Sequence, residues 1–178
     1  MLLDRLAIPY DAVAPDVDEQ PLPGEMPAAT ALRLAETKAR SVAIRQSAAL
    51  IIGSDQVAVL GNQALGKPGS HEAATRQLLT MSGCKVTFHT ALCLLNAGTG
   101  HAQIASVPTV VQFRPLHAAQ IERYLRHDKP YDCAGSAKVE ALGITLLETI
   151  SSDDPTALIG LPLTVLVSML GREGITLP

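Results

Sequence analysis

The chain has 178 residues, 47% of them hydrophobic, with a formal charge of −3 and a mean hydropathy of +0.23. That length buries a real core, and residues 1–178 are expected to form one domain, if a two-lobed one. A net negative charge with scattered Lys and Arg argues against a general nucleic-acid binder or a binder of anionic membranes. No apolar run reaches the roughly 18 residues of a membrane-spanning segment, and residues 1–10 lack the apolar core of a signal peptide. Cys84, Cys93 and Cys133 are an odd, widely spaced set that suits free buried thiols in a reducing compartment. A cytoplasmic location is expected.

Taken in order, Met1 to Ile8 has helical spacing of apolar residues without a cap before it and reads as the second half of a helix. Tyr10 to Ala14 reads as a short strand, and Pro15 to Gly24 combines Pro, acids and Gly into a loop. Pro27 to Ser47 carries an apolar stripe through Leu34, Ala35, Ala39 and Val42, interleaved with Arg33, Lys38 and Arg40, and predicts a helix. Ala49 to Val59 is an apolar strand broken by Gly53-Ser54-Asp55-Gln56, and a turn at Gly61-Asn62-Gln63 follows. Ser70 to Ser82 predicts a second helix, capped by Ser70 and stopped by Gly83.

Cys84 to Asn96 and Ala102 to Arg114 alternate as strands around a turn at Gly98-Thr99-Gly100. His117 to His127 predicts a helix, Pro130 to Gly143 a loop of small residues, Ile144 to Ile150 a strand, and Leu163 to Leu170 a terminal helix. Alternating strands and helices with one hairpin define an α/β fold, a twisted mixed sheet with helices around it.

Asp55 is the residue that asks for an explanation. A lone carboxylate inside an apolar run costs several kcal/mol, about the effective penalty for burying an ion, unless a cation, a metal or an open cleft receives it. A solvated Asp at a bend is the competing reading. Lys67, in the rigid turn Gly66-Lys67-Pro68, adds a cation nearby in sequence. Asp18-Glu19, Arg33 to Lys38, and Ser136, Lys138 and Glu140 form further polar clusters beside loops. Magnesium is commonly held by one or two carboxylates plus substrate phosphates, so separated single acids suffice. Lysines neutralise phosphate as point charges. The set could support metal-assisted hydrolysis of a phosphoanhydride, with a carboxylate orienting the water. The alternatives are ordinary: Glu19 solvated in its loop, Lys38 a surface cation, and Glu140 paired with Lys138. The five histidines have no metal-ligand spacing, and Walker A, GxGxxG and GxSxG motifs are absent from the sequence.

The ordered series Val17-Asp18-Glu19, Leu32 to Ala39, Gly53-Ser54-Asp55-Gln56-Val57, Leu65-Gly66-Lys67-Pro68, Leu79 to Gly83, Cys133-Ala134-Gly135-Ser136 and Leu158 to Pro162 resembles the Maf family of septum-formation-inhibitor-like nucleotide pyrophosphatases. The resemblance implies a Maf/inosine-triphosphatase-like fold of two lobes with a cleft. It also implies house-cleaning hydrolysis of a nucleoside triphosphate between its α and β phosphates. On that model Asp55 is catalytic and shares a divalent cation, magnesium or manganese, with Glu19, while Lys38 and Lys67 bind phosphates. Gln56 and Glu140 stand where the branch acting on dTTP and UTP usually has Thr and Gln, so the chain looks like the branch acting on 7-methyl-GTP. A carboxylate can accept two hydrogen bonds from a guanine edge, and N7-methylation adds a positive charge that favours it. Family members commonly form homodimers.

Members also open with a strand and a Ser-x-Ser-x-x-Arg phosphate loop. Here Met1-Leu2-Leu3 resembles the residues after that loop, so the first strand and loop are expected to be missing. A member that binds nucleotide or a partner protein without turnover is therefore the alternative.

Overall fold

Helix α1 (Pro27–Ala43) starts at Pro27, which fits the first helical position, and strand β1 (Leu50–Leu60) follows after a short loop. The computed structural model describes residues 2–177. After β1 come β2 (Gln63–Leu65), α2 (His71–Met81), β3 (Lys85–Asn96), β4 (Ala102–Phe113), α3 (Ala118–Asp128), β5 (Leu147–Ser152) and α4 (Leu163–Arg172). The strands form a five-stranded sheet in the order β2-β1-β3-β4-β5.

The α/β class expected from the sequence holds, with the sheet antiparallel where a mixed one was expected. The β1–β2 turn pairs Leu60 with Gln63, and β5 runs against β4 from Thr109↔Ser152 to Phe113↔Leu147, with a bulge at Gln112/Phe113.

The chain divides into two units. One comprises Met1–Asp55, Thr90–Val107 and Asp154–Pro178; the other comprises Gln56–His89 and Pro108–Asp153. In the first unit, Leu92 and Leu94 of β3 are buried with Leu163, Leu166, Met169 and Leu170 of α4, and Leu2, Leu3, Leu6 and Ile8 pack against them. Helix α1 buries Ala31, Leu34, Ala35, Ala39 and Val42. It approaches β1 so closely that a Cβ on Gly53 would stand 2.2 Å from the Ala35 carbonyl oxygen. Asp154, 1% exposed, accepts hydrogen bonds from the backbone N–H and hydroxyl of both Thr156 and Thr164, which satisfies the start of α4. Burial would raise its pKa, but those donors outweigh it and hold the pKa below the usual aspartate value.

In the second unit, Ser70 caps α2 by accepting from Ala73 N–H, as expected, and Gly83 takes the left-handed conformation (φ 71°) just past its end. Helix α2 packs on α3, and His71 bridges the Tyr131 hydroxyl (3.0 Å) and Glu122 (2.8 Å).

Three local expectations are corrected. Residues 10–14 form no strand: residues 11–16 are exposed, no strand pairs with them, and Tyr10 instead donates to Asp4 at 2.7 Å. The opening segment is a 3₁₀ turn, Leu2–Leu6, and Met1 lies outside the described residues. The strand expected at 144–150 is a 3₁₀ turn (Leu142–Leu146) followed by β5, three residues later. The three cysteines are free.

Candidate active site

The lone acid of β1 has a cation. Lys38, on α1, places its Nζ 2.6 Å from Asp55 Oδ1 and 2.7 Å from Glu19 Oε1. Gly53 lets α1 come near enough for this reach, since Asp55 follows it by two residues on the same face of β1. The side chains of Lys38 and Asp55 are 16% and 11% exposed, and that of Glu19 is 42% exposed. Burial works against the ammonium, but the hydrogen bonds it donates to Asp55 and Glu19 outweigh it, and the Lys38 pKa lies above the ordinary lysine value. Lys38 is therefore a fixed cation at neutral pH. One ammonium thus bonds two carboxylates, which turns an oxygen of each to a common point.

The loop that brings Glu19 there is held by residues outside the predicted set. Arg33 grips Glu25 with two bonds of 2.7 Å and donates to the Gln20 carbonyl at 3.1 Å, immediately beside Glu19. Glu25 also accepts from Leu22 N–H and the Thr30 hydroxyl, and the Arg33 guanidinium leads these donors in lowering its pKa to about 2. Asp18 closes a local turn by accepting from Gln20 N–H. A carboxylate just before a helix that carries Arg two turns in is the only signal the sequence offered for this clamp.

Ser54 fixes β1 beside Asp55, its hydroxyl lying 2.7 Å from both the Ala91 and Gly160 carbonyl oxygens. The one hydroxyl proton is shared between two acceptors. Gln56, half-buried, follows Asp55 on β1 and begins the second unit.

The other predicted residues belong to that second unit. Lys67 is exposed on its turn. Gln77 of α2 donates to the Gly66 carbonyl at 3.0 Å, and Gly69 N–H donates to the Tyr131 carbonyl at 2.9 Å. Glu140 is exposed at the end of a tightly folded loop. Lys138, the cation the sequence offered it, lies 3.4 Å from Asp132 instead. Within the loop, buried Tyr124 donates to the Ser136 carbonyl (3.1 Å) and accepts from Lys138 N–H (2.9 Å). Burial raises the pKa of its phenol, so it stays protonated. Gly143 must be glycine, because a Cβ there would stand 2.4 Å from the Lys138 carbonyl oxygen.

The structure thus joins Glu19, Lys38 and Asp55 in one unit and sets Gln56, Lys67 and Glu140 in the other. Among the described residues, no group of three or more His, Cys, Asp or Glu side chains is arranged to hold a metal, and no helix is long and apolar enough to cross a membrane.

The chain is thus an α/β protein in which Lys38 joins two carboxylates, and its sequence places it in a family. The family model described as "Maf-like protein" matches residues 1–173, and the chain belongs to that family. It is 59% identical over 174 residues to a 7-methyl-GTP pyrophosphatase of Thiobacillus denitrificans, covering 98% of this chain and 87% of that protein. It is 58% identical over 173 residues to the protein of the same name from Cupriavidus metallidurans (97% and 87%), and 56% identical over 178 residues to that of Aromatoleum aromaticum (100% and 92%).

Proposed function

We propose that this protein is a nucleoside triphosphate pyrophosphatase that converts 7-methyl-GTP, or a closely related modified nucleotide, to its monophosphate and pyrophosphate. The observation that carries the reading is the Lys38 ammonium held between Asp55 and Glu19 in a chain 59% identical to a protein so named.

In the proposed reaction, a water oxygen bonds to the α-phosphorus while the bond to the bridging oxygen of the β-phosphate breaks. Pyrophosphate leaves with the electron pair, and the water proton passes to Asp55. Lys38 fixes the orientation of Asp55 and offsets phosphate charge. Lys67 adds a second point cation on the phosphates. Glu140 accepts two hydrogen bonds from the guanine edge, and Gln56 offers its amide to the base.

A divalent cation fits the donor set, because two hard carboxylates converge and substrate phosphates with water complete an oxygen shell. Glu19 and Asp55 would hold it. When bound, magnesium or manganese would neutralise developing charge on the phosphates. Action as a homodimer in the cytoplasm completes the proposal, and sedimentation of the purified protein tests the first part.

Pyrophosphate release from 7-methyl-GTP, GTP and UTP with magnesium or manganese tests the reading. 7-Methyl-GTP is expected to be the preferred substrate, and Asp55→Asn to lower kcat by about 10²–10⁴-fold. Glu140→Gln is expected to shift preference toward UTP. Equal turnover of 7-methyl-GTP and UTP by the wild type would overturn the substrate. Binding of 7-methyl-GTP without pyrophosphate release would replace the enzyme with a nucleotide-binding member.

A further inference from the structure

We infer that Gln77 is a positioning residue that couples the Lys67 turn to the Glu140 loop, so that base selectivity depends on an amide that contacts neither charge. The inference rests on the roles proposed above for Lys67 and Glu140.

The Gln77 side chain is half-buried on α2 and has one partner in each segment. Its Nε2 donates to the Gly66 carbonyl at 3.0 Å, and its Oε1 accepts a short hydrogen bond from the Ser136 hydroxyl. Reversing the amide would set its oxygen against the Gly66 carbonyl oxygen, so the Gly66 contact fixes its orientation.

Ser136 is where coupling matters. It is fully buried and left-handed (φ 52°), a conformation that non-glycine residues hold only where their surroundings over-determine it. Three contacts do so: Gln77 on its hydroxyl, Tyr124 on its carbonyl, and its own N–H on the Cys133 carbonyl at 3.2 Å. The same Tyr124 hydroxyl receives Lys138 N–H, two residues before Glu140, and Ala141 N–H returns to the Lys138 carbonyl at 3.1 Å. The path from Ser136 to Glu140 is therefore short and pinned along its length. On the other side, Gly66 directly precedes Lys67, and a Cβ on Gly66 would meet nothing within 4 Å. Gln77 thus supplies a tether that packing around Gly66 does not.

The test is amide hydrogen exchange at residues 66–69 and 137–140, with the ratio of kcat/KM for 7-methyl-GTP to that for GTP. In Gln77→Leu, exchange in both segments should rise by about tenfold and the ratio should fall by about tenfold, mainly through KM. Gln77→Glu keeps the acceptor for Ser136 and loses the donor for Gly66, so only residues 66–69 should loosen. Adding Gln77→Leu to Glu140→Gln should not lower the ratio further. A rise confined to one segment in Gln77→Leu, or an equal loss on both substrates with an unchanged ratio, overturns the inference. If Glu140→Gln itself leaves the ratio unchanged, the base-reading role of Glu140 falls, and the exchange pattern alone decides the coupling. Should Gln77→Leu not fold, Ser136→Ala removes the same contact from the other partner and should loosen residues 137–140.

Discussion

Lys38 has three N–H donors, and two of them end on carboxylates, at 2.6 Å and 2.7 Å. Removing it takes one shared ammonium away from Asp55 and Glu19 together. Lys38→Met is expected to lower kcat by about 10²-fold or more. Its effect on stability has a defined sign. The folded pKa is raised, so the stabilisation is complete below the ordinary value of 10.5 and disappears as pH rises through the higher folded value. The difference in urea midpoint between wild type and Lys38→Met should therefore be flat from neutral pH to about 10 and shrink in stronger alkali. Glu25 behaves oppositely. With its pKa lowered from 4.5 to about 2, its contribution is full above 4.5 and is lost as pH falls toward 2. Glu25→Gln should cost stability at neutral pH and little below pH 2. Asp55, Lys38 and Glu19 were all legible as chemistry-bearing residues. That they share one point was not, because nothing between residues 19 and 55 of the sequence records the distance from Nζ to the two carboxylates.

At the level of elements, periodicity served well wherever a buried stripe was long. Helices α1 and α2 and strands β1, β3 and β4 follow the apolar pattern. The two failures have separate causes. Residues 10–14 read as a short strand, but a strand needs a partner, and these residues, exposed from 11 onward, have no strand beside them. The strand expected at 144–150 begins only at Leu147, since Gly143 lies against the Lys138 carbonyl and Leu142–Leu146 winds into a 3₁₀ turn. Glycine therefore has opposite values in different elements. Gly53→Ala should destabilise by about 1–3 kcal/mol or more, because the new Cβ meets backbone at 2.2 Å and must move α1, carrying Lys38 from Asp55. Gly171→Ala, in the last turn of α4 with nothing within 4 Å, should stabilise by about 0.5–1 kcal/mol. Thermal unfolding of the two variants checks both signs, and only Gly53→Ala should lose activity.

For the molecule as a whole, the boundary between the two units falls inside three strands, at Asp55/Gln56 in β1, His89/Thr90 in β3 and Val107/Pro108 in β4. The motif that reads as one stretch, Gly53-Ser54-Asp55-Gln56-Val57, is thus divided: its acid belongs to one unit and its amide to the other. The family was legible from the ordered motifs, because each marks a position where backbone or charge admits few residue types. The supports around them were not, because Glu25, Gln77, Tyr124 and Asp154 are ordinary residues until their partners are known. The proposed chemistry adds one expectation at this scale. Chelation of divalent cations should abolish pyrophosphate release and leave the unfolding temperature nearly unchanged, since Lys38 already offsets the carboxylates in the folded chain. A large fall in that temperature would make the metal part of the fold.

Ser136 carries one more consequence. Glycine would hold its left-handed backbone at no steric cost, so heat tolerance and substrate choice should pull this position in different directions. In a randomised library, survival after heating should admit glycine at 136. Growth that depends on sorting methylated from ordinary nucleotides should keep serine, whose hydroxyl is the part that glycine lacks. Sequencing the two surviving pools would read the trade-off directly.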